Sequence, residues 1–517
     1  MRAAEEAAFK EGVSEDALME IAGSGLANSV SHFFPTPGKF IVFFGKGNNG
    51  GDVLVAARVL AQRGWHIELN PVFPQNLWAP LVQLNASRLQ EVTQNLPPPL
   101  PSPCQIVVAD GLLGTGAKGA ATGPLATAIY QINQLRQNLG AFVVAADVPS
   151  GLNPDSGECP GPCVIADLTV TFGAPKAGLL ADNATNFVGR LELVKLPHVF
   201  PQSADQWTIS TPELVRRVIQ PRPYNLHKGK CGKIAIVAGS PRFPGAARLA
   251  SSAAVKAGGG LVTLWTPATI LPSLSAACSP EVILMPFNRP REVMEFQADV
   301  IAIGPGLSSA WNLDILSIVS ESYVPVVADA DAINALAARP GVLRKCTSPR
   351  LITPHPGEME RLFPRNGRSR RAWALDFTAA FPNVSLLLKG ARSIAIRHNR
   401  PGIYNSTGHP GMATGGMGDV LTGVVAALLG QYPMADNVDI LASAAWICGR
   451  AAEIAIFEDS ASPESLSASD VINHLGRAFE DVRRHWNNQT HEQKPTSPPV
   501  KNEQINPAPP PQIPQPA

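Results

Sequence analysis

Residues 408–423 read GHPGMATGGMGDVLTG, and this stretch predicts more about the fold and chemistry of the chain than any other. An apolar run from Val420 to Leu429 follows the glycines and predicts a helix, with Asp419 at the junction. Glycine lets backbone N–H groups crowd around an anion, and the positive end of the helix dipole favours negative charge there. A carboxylate beside such an anion hole suits a general base for phosphoryl transfer to a hydroxyl group. The alternative is a glycine-rich helix cap, which needs fewer glycines than this stretch contains.

The bulk composition excludes several classes of protein. The 517 residues suffice for two or three domains, and 42 basic against 41 acidic side chains leave a net charge of +1. This balance, with only 6% aromatic residues, favours neither a nucleic-acid partner nor a membrane surface. No apolar run is expected to approach the roughly 20 residues that cross a bilayer. Seven scattered cysteines without a metal-ligand spacing, and a polar N-terminus, favour a soluble cytoplasmic protein.

Short apolar runs predict buried strands that alternate with helical patterns in both halves of the chain. These predicted strands are 39–44, 105–110, 141–147 and 168–172, followed by 233–239, 300–304, 324–329 and 386–390. The alternation predicts an α/β protein with two three-layer αβα domains, whose sites lie at the carboxyl ends of parallel strands. We expect domains over residues 1–207 and 208–487, and a disordered Pro/Gln-rich tail over 488–517.

The first predicted strand ends in Gly45-Lys46-Gly47-Asn48-Asn49-Gly50-Gly51-Asp52. This run satisfies the dinucleotide-binding pattern G-x-G-x-x-G, with Glu68 near the distance of a ribose-binding acid, so a dehydrogenase is one alternative. We expect Asp52 in the first turn of the next helix, where it would repel a pyrophosphate. The paired asparagines suit a polar ligand or a cation better than a phosphate.

Two further strand ends lead into oxygen-rich loops, Asp110-Gly111-Leu112-Leu113-Gly114-Thr115-Gly116 and Asp147-Val148-Pro149-Ser150-Gly151. Asn49, Asp110 and Ser150 all offer oxygen ligands and could together surround a hard monovalent or divalent cation. Asp147 would then remain free to act as a base. Each of these acids could instead be a loop or helix-cap residue without a catalytic role.

These loops, together with Ala17 to Gly23 and Phe172 to Leu179, resemble the YjeF N-terminal family of NAD(P)H-hydrate epimerases over about residues 1–200. The resemblance implies a Rossmann-like fold and a potassium ion bound by Asn49, Asp110 and Ser150, while Asp147 remains the candidate catalytic base. It also implies substrate contacts from Asn48, Asn49, Gly50, Gly51, Asp52, Gly114, Thr115, Gly116, Ala117, Lys118, Gly119, Ala120 and Asp147. Val53 departs from the family, which usually has glycine there, and it could narrow the site.

The C-terminal half contains further loops at its predicted strand ends, and no glycine-rich turn ends in Gly-Lys-Ser/Thr as in a P-loop. These loops are His227-Lys228-Gly229, Gly245 to Ala250, Gly304-Pro305-Gly306-Leu307, Asp329-Ala330-Asp331-Ala332, Thr353 to Glu358 and Leu388 to Arg392. Taken singly they are weak signals: His355 could be a rigid turn residue, and Lys389 could lie at the edge of the sheet. In this order they resemble the carbohydrate-kinase-like NAD(P)H-hydrate dehydratases, with the ribokinase-like fold, over about residues 222–480.

This second resemblance implies hydrate contacts from Ala246, Gly306, His355 and Asp419, and nucleotide contacts from Lys389, Gly390, Ala391, Arg392, Ser393 and Gly418. It implies ADP as phosphoryl donor, with ATP as the alternative and Mg²⁺ bridging the phosphates. Bacterial fused proteins use ADP and eukaryotic stand-alone enzymes use ATP, and no feature of the sequence decides between the two. Asp419 would be the catalytic base for attack of the C6 hydroxyl group on the nucleotide.

The two resemblances together imply metabolite repair of NADHX and NADPHX: an isomerase that interconverts the 6R and 6S epimers, and a lyase that dehydrates the 6S epimer to NAD(P)H, giving AMP and phosphate. They also imply a homo-oligomer, a tetramer or larger. The main alternative is a ribokinase-like small-molecule kinase fused to a YjeF-type binding module without catalysis. That alternative predicts a stable phosphorylated product instead of free phosphate.

Overall fold

The computed structural model describes residues 2–93, 104–117, 119–199 and 207–492. Lys118 and residues 493–517 of the expected tail lie outside the described residues, whereas 488–492 complete a helix. The strands of the N-terminal unit are β1 Lys39–Phe44, β2 His66–Pro71, β3 Ile106–Gly111, β4 Phe142–Ala146, β5 Leu168–Phe172 and β6 Arg190–Val194. Its helices are α1 Arg2–Lys10, α2 Glu15–Phe33, α3 Asn48–Gln62, α4 Pro80–Thr93, α5 Gly123–Leu139 and α6 Thr185–Val188.

The N-terminal sheet has the order β2-β1-β3-β4-β5-β6, and each paired strand runs parallel to its neighbour. Alternate side chains of β1 enter two different cores, as expected for a strand that is buried on both faces. Phe40 and Val42 pack with α2 and α3, whereas Ile41 and Phe43 pack with α5. The predicted α/β layer arrangement is therefore confirmed in this half.

The second unit contains a larger sheet. Its strands are β7 Thr208–Ile209, β8 Lys233–Val237, β9 Leu261–Pro267, β10 Ile283–Phe287, β11 Val300–Ile303, β12 Val326–Ala328, β13 Arg350–Ile352, β14 Val384–Leu388, β15 Ile394–Arg397 and β16 Ile403–Tyr404. Its helices are α7 Pro212–Val218, α8 Pro244–Lys256, α9 Leu271–Ala277, α10 Asn312–Glu321, α11 Asp331–Ala338, α12 Pro356–Leu362, α13 Arg370–Ala380, α14 Met417–Gln431, α15 Asn437–Phe457 and α16 Ala468–Glu492.

The strand order of this sheet is β10-β9-β8-β11-β12-β13-β14-β15-β16-β7, with antiparallel pairing only at β14–β15 and β15–β16 among the described strands. Ile234 and Ile236 of β8 pack against α8, α14 and α15, while Ala235 and Val237 face the core that contains α10, α11 and α13. The second three-layer αβα unit is confirmed. All eight predicted strands exist, displaced at their ends by at most two residues.

Helix α15 corrects one expectation about the apolar runs. An 18-residue window of this 21-residue helix has a mean hydropathy of 1.5, so by length and composition α15 could cross a membrane. In this structure 89% of that window is buried inside the protein, where Arg450 and Glu453 also lie. Among the described residues it is the one helix of this kind.

The two units share an apolar core. Leu179, Val188 and Leu191 of the first unit belong to the same buried cluster as Leu388 and Ile394 of the second. The charged pair Arg190–Glu453 also crosses this boundary, with 2.8 Å between Nε and Oε1. The units therefore pack against each other through buried side chains on both sides.

Candidate active sites

The first candidate site lies at the carboxyl ends of β1, β3 and β4, as parallel α/β topology predicts. A cavity of about 1110 Å³ opens there. It is lined by Asn48, Asn49, Gly114, Thr115, Gly116 and Ala117 among the predicted substrate contacts. Lys176, Leu193, Trp207 and Thr208 line it as well, so the start of the second unit contributes to its wall.

The other predicted contacts of this site are placed differently. Helix α3 begins at Asn48, so Asp52 is its fifth residue and does not lie in the first turn as expected. Gly50, Gly51 and Asp52 are buried in the helix beneath the cavity, while Gly119 and Ala120 are exposed on the loop after Lys118. Burial, followed by repulsion from Asp147, raises the pKa of Asp52 well above its usual value.

Three predicted cation ligands converge where β1, β3 and β4 end. Ser150 donates from Oγ to Asp110 Oδ1 at 2.6 Å and from its backbone N–H to Oδ2 at 2.8 Å. Asn49 donates from Nδ2 to the carbonyls of Leu113 and Ala146, at 2.8 and 2.7 Å. A Cβ at Gly114 would lie 2.6 Å from Asn49 Oδ1, so only glycine leaves room beside that oxygen. The three side chains are therefore held in one place by neighbouring loops.

The oxygen ligands of Asn49, Asp110 and Ser150 fit a cation of low charge. They comprise a carboxylate, an amide oxygen and a hydroxyl oxygen, and burial raises the pKa of Asp110 to about 6. A buried carboxylate of this kind is stabilised in its charged form by a nearby cation. Among the described residues, no three His, Cys, Asp or Glu side chains cluster to hold a metal ion.

Asp147 is not free, contrary to expectation. Its Oδ1 forms a short ion pair with Lys176 Nζ and accepts hydrogen bonds from Thr171 Oγ1 at 3.2 Å and from the Phe172 N–H at 3.1 Å. Lys176 also donates to Thr171 Oγ1 and to the Phe172 carbonyl. Asp147 has a φ of 65°, a backbone conformation that is uncommon outside glycine and tends to occur at functional sites. Asp147 and Lys176 therefore form one buried acid–base pair.

Lys176 lies within the segment from Phe172 to Leu179 that carries the family resemblance, but the sequence predicts no role for it. It lies 29 positions from Asp147, and nothing local indicates that the two side chains meet. The only signal was a lysine between two small-residue turns, which is also typical of an ordinary surface loop.

Val53 does not line the cavity. Its side chain is fully buried in the core of the first unit, and it packs behind Gly111. A smaller residue at this position would open space in the core, beneath the ligand loops.

The second candidate site forms at the N-terminus of α14, at the carboxyl ends of β12, β13 and β14. Gly416 caps the helix with a left-handed φ of 89°, and Asp419 is the third helical residue. The backbone N–H groups of the first helical residues have no partner within the helix. Burial, followed by repulsion from Asp329, raises the pKa of Asp419 to about 7. At neutral pH this carboxyl group is therefore poised between its acid and base forms.

Lys389 lies among three acidic side chains, Asp329, Glu358 and Asp419, which form an acidic cluster with it. Its Nζ lies 2.8 Å from Asp329 Oδ1 and 3.9 Å from Glu358 Oε2. Burial acts against the charge of Lys389, but the carboxylates of Asp329 and Glu358 outweigh it and raise its pKa. Thr422 of α14 donates to Asp329 Oδ2 at 2.9 Å. The expectation that Lys389 could be a mere edge residue is wrong.

Asp329 and Glu358 are site residues to which the sequence assigned no role. Each lies in a predicted strand-end loop, but Asp329 and Glu358 are 60 and 31 positions from Lys389 in the chain. A motif of Asp or Glu after a strand is too common to single them out.

The remaining predicted hydrate contacts are His355, Gly306 and Ala246. His355 caps α12: its Nδ1 accepts from the N–H groups of Gly357 and Glu358, and its ring is about half exposed. A Cβ at Gly306 would lie 3.0 Å from Ala246 Cβ, so these two small residues are neighbours. The predicted nucleotide contacts occupy the β14–β15 loop, residues 389–393, and Gly418 lies next to Lys389.

Comparisons with known proteins give matches to both halves of the chain. Residues 234–474 match the family model described as NAD(P)H-hydrate dehydratase, and residues 15–178 match the model described as YjeF-related protein N-terminus. The bifunctional NAD(P)H-hydrate repair enzyme of Moorella thermoacetica is 36% identical over 459 residues, with 80% of this chain and 83% of the relative aligned. The enzyme of the same name from Escherichia coli is 33% identical, over 83% of this chain and 84% of its own.

The chain belongs to the bifunctional NAD(P)H-hydrate repair enzymes. It therefore combines an epimerase unit with a dehydratase unit, and the small-molecule kinase alternative is not favoured. Among solved structures, the ADP/ATP-dependent NAD(P)H-hydrate dehydratase of Bacillus subtilis, co-crystallised with ATP/Mg²⁺, is 28% identical. It matches 53% of this chain and 98% of its own, with a TM-score of 0.47. The two αβα units of this repair enzyme coincide with the two matched family models, as the two resemblances imply.

Proposed function

We propose that the C-terminal unit dehydrates (6S)-NADHX and (6S)-NADPHX with ADP as phosphoryl donor, and that Asp419 is its catalytic base. The observation that carries this proposal is the placement of Asp419 at the N-terminus of α14, with a pKa of about 7 and Lys389 in the same cluster. Asp419 accepts the proton of the C6 hydroxyl group as its oxygen attacks the terminal phosphorus. The bond from that phosphorus to AMP breaks at the same time.

The phosphorylated hydroxyl group is a better leaving group than hydroxide. The C6–O bond then breaks with electrons from the ring nitrogen, phosphate departs, and loss of a proton from C5 restores the dihydronicotinamide. The backbone N–H groups of residues 415–418 stabilise charge on the transferred group, and Lys389 neutralises charge beside it. Mg²⁺, when bound with the nucleotide, would neutralise the charge of its phosphates.

For the N-terminal unit we propose epimerisation at C6 of NADHX and NADPHX by Asp147, with Lys176 as its proton-carrying partner. Asp147 and Lys176 are buried side by side, so one group can remove a proton from the substrate while the other supplies one. The substrate would occupy the cavity above Asn48, Asn49 and the loop that begins at Gly114.

We propose potassium as the cation of Asn49, Asp110 and Ser150. Its binding requires the charged form of Asp110, whose pKa is raised by burial to about 6. The thermal shift caused by KCl, relative to choline chloride, should therefore shrink as the pH falls below about 6. Asp110→Asn should remove that shift at every pH, and an unchanged shift in this variant would contradict the site.

The test of the main proposal is the recovery of reduced-nicotinamide absorbance from mixed-epimer substrate with Mg²⁺, K⁺ and either ADP or ATP. Release of AMP and free phosphate in step with absorbance supports ADP-dependent dehydration. A stable phosphorylated product, without recovered absorbance, would contradict it. Light scattering on the purified enzyme tests the further expectation of a homo-oligomer, a tetramer or larger.

We also propose that the enzyme acts in the cytoplasm. The seven cysteines are all free thiols in this structure, which suits a reducing compartment. Microscopy of the tagged full-length chain tests this location.

A further inference from the structure

The loop that follows β14 is hydrogen-bonded to the epimerase unit. Arg392 is buried, and its guanidinium group donates to two carbonyls of the first unit: to Leu179, through a short hydrogen bond, and to Gly189 at 3.0 Å. Burial lowers the pKa of Arg392 to about 10, so the guanidinium group is still fully charged at neutral pH. The two carbonyls stabilise this buried charge. The side chain of Arg392 therefore contacts the first unit, although Arg392 belongs to the proposed nucleotide-binding segment, residues 389–393.

A second arginine holds the same loop from behind. Arg370, at the start of α13, donates to the carbonyls of Leu388, Lys389 and Arg392 at 3.0 to 3.2 Å. The backbone N–H of Arg370 donates in turn to Asp182 of the first unit, at 3.1 Å. Asp182 also pairs with Arg365, at 3.1 Å. One carboxylate of the epimerase unit therefore fixes the helix start from which Arg370 reaches the loop.

The segment of the first unit that makes these contacts is supported by fully buried residues. Leu179 is fully buried and lies in a short 3₁₀ segment, Ala177–Leu180, directly after Lys176. Asp182 begins the next 3₁₀ segment, and Ala184 and Val188 behind it are fully buried in the core that the two units share. A buried, packed support transmits position well because such packing resists small displacements.

From these contacts we infer that the epimerase unit positions the nucleotide loop of the dehydratase, with Arg392 and Asp182 as positioning residues. The consequence is that affinity for the nucleotide depends on contacts made by a unit that performs a different reaction. This inference rests on the proposed nucleotide-binding role of residues 389–393. It assigns the Arg392 side chain to holding the loop in place, and the nucleotide then meets the backbone of that loop.

The experiment compares Asp182→Ala, Asp182→Asn and Arg392→Met in the full-length enzyme. Asp182→Ala removes the acceptor of the Arg370 N–H, whereas Asp182→Asn retains an acceptor oxygen. Lys195→Ala is the matched control, because Lys195 pairs with Glu213 across the same boundary at 3.6 Å, away from the loop. For each protein the measurements are kcat and KM for ADP in dehydration, the Kd of Mg-ADP by calorimetry, and the epimerisation rate.

We expect Asp182→Ala and Arg392→Met to raise KM and Kd for ADP by about fivefold or more, with a smaller change in kcat. Asp182→Asn should recover most of the affinity, and Lys195→Ala should match the wild type. Epimerisation by Asp182→Ala should stay at the wild-type rate, which shows that the first unit is folded.

Two results would overturn the inference. If wild type binds Mg-ADP and both Asp182→Ala and Arg392→Met bind it equally well, the loop does not depend on the epimerase unit. If only Arg392→Met loses affinity, Arg392 acts by itself and Asp182 has no positioning role. Failure of wild type to bind Mg-ADP would instead contradict the proposed nucleotide site, and the inference would fall with it. Should Arg392→Met not fold, the Asp182 pair and the Lys195 control still decide the question.

Discussion

At the scale of single residues, the burial of Asp419 has a consequence for pH dependence. A general base must be unprotonated, and its pKa of about 7 lies above the usual value of a carboxyl group because burial disfavours the charge. We expect kcat/KM for dehydration to fall about tenfold per pH unit below that pKa and to level off above it. The measurement is the pH profile of absorbance recovery with pure 6S epimer.

Asp419→Asn removes the base and keeps the size of the side chain. It should reduce dehydration by about 10²- to 10⁴-fold while epimerisation is unchanged. Full nucleotide-dependent turnover in this variant would exclude Asp419 as the base.

Val53 leads to a second prediction at this scale. Because its side chain is buried in the core and does not face the cavity, Val53→Gly should not raise epimerase activity. It should lower the free energy of unfolding by about 2 to 4 kcal/mol, since a valine is lost from the core and glycine is unfavourable within a helix. Urea unfolding and epimerase kinetics measure the two effects. A clear fall in KM for the hydrate would restore the idea that Val53 narrows the site.

The sequence predicted the parts of both sites that are local in the chain. The motifs around Asn49, Asp110 and Asp147 each end a strand, and parallel topology alone then brings them together. The sequence did not predict that Lys176 lies beside Asp147. It also did not predict that Arg392 donates to the carbonyl of Leu179, which is 213 positions away in the chain. Such contacts depend on how loops and units pack, and no periodicity or spacing reports that packing.

At the scale of elements, two neighbouring glycines before α14 differ in what they tolerate. Gly416 has a left-handed φ, and a Cβ there would lie 2.6 Å from Leu249 Cδ1 and 3.0 Å from Ala468 Cβ. A Cβ at Gly415 would meet nothing within 4 Å. Gly416→Ala should therefore destabilise the protein by about 1 to 2 kcal/mol or more through backbone strain, whereas Gly415→Ala should change stability little.

The same pair tests the geometry of the anion hole. A shift of the α14 start would move its N–H groups relative to the transferred phosphoryl group, so Gly416→Ala should also lower kcat of dehydration. Denaturant unfolding and steady-state kinetics of both variants give the comparison. Equal stability of the two variants would contradict the left-handed cap.

At the scale of the whole molecule, the presence of two units on one chain has a stereochemical reason. Hydration at C6 produces both epimers, and a chiral dehydratase site accepts one of them, so an epimerase makes the whole pool available. Wild type should therefore recover all of the absorbance from mixed epimers, while Asp147→Asn should stop near the fraction of the 6S epimer. Asparagine tolerates the positive φ of this position and should preserve the loop.

Complementation provides the control for this prediction. An equal mixture of Asp147→Asn and Asp419→Asn should again recover all of the absorbance, since each variant keeps the activity that the other has lost and the epimers diffuse between them. Stopped-flow and end-point absorbance follow both phases. Complete recovery by Asp147→Asn alone, at the wild-type rate, would remove Asp147 from the catalytic pair. If the mixture stalls like Asp147→Asn alone, Asp419→Asn has lost epimerisation too, and the two units depend on each other more than their separate reactions require.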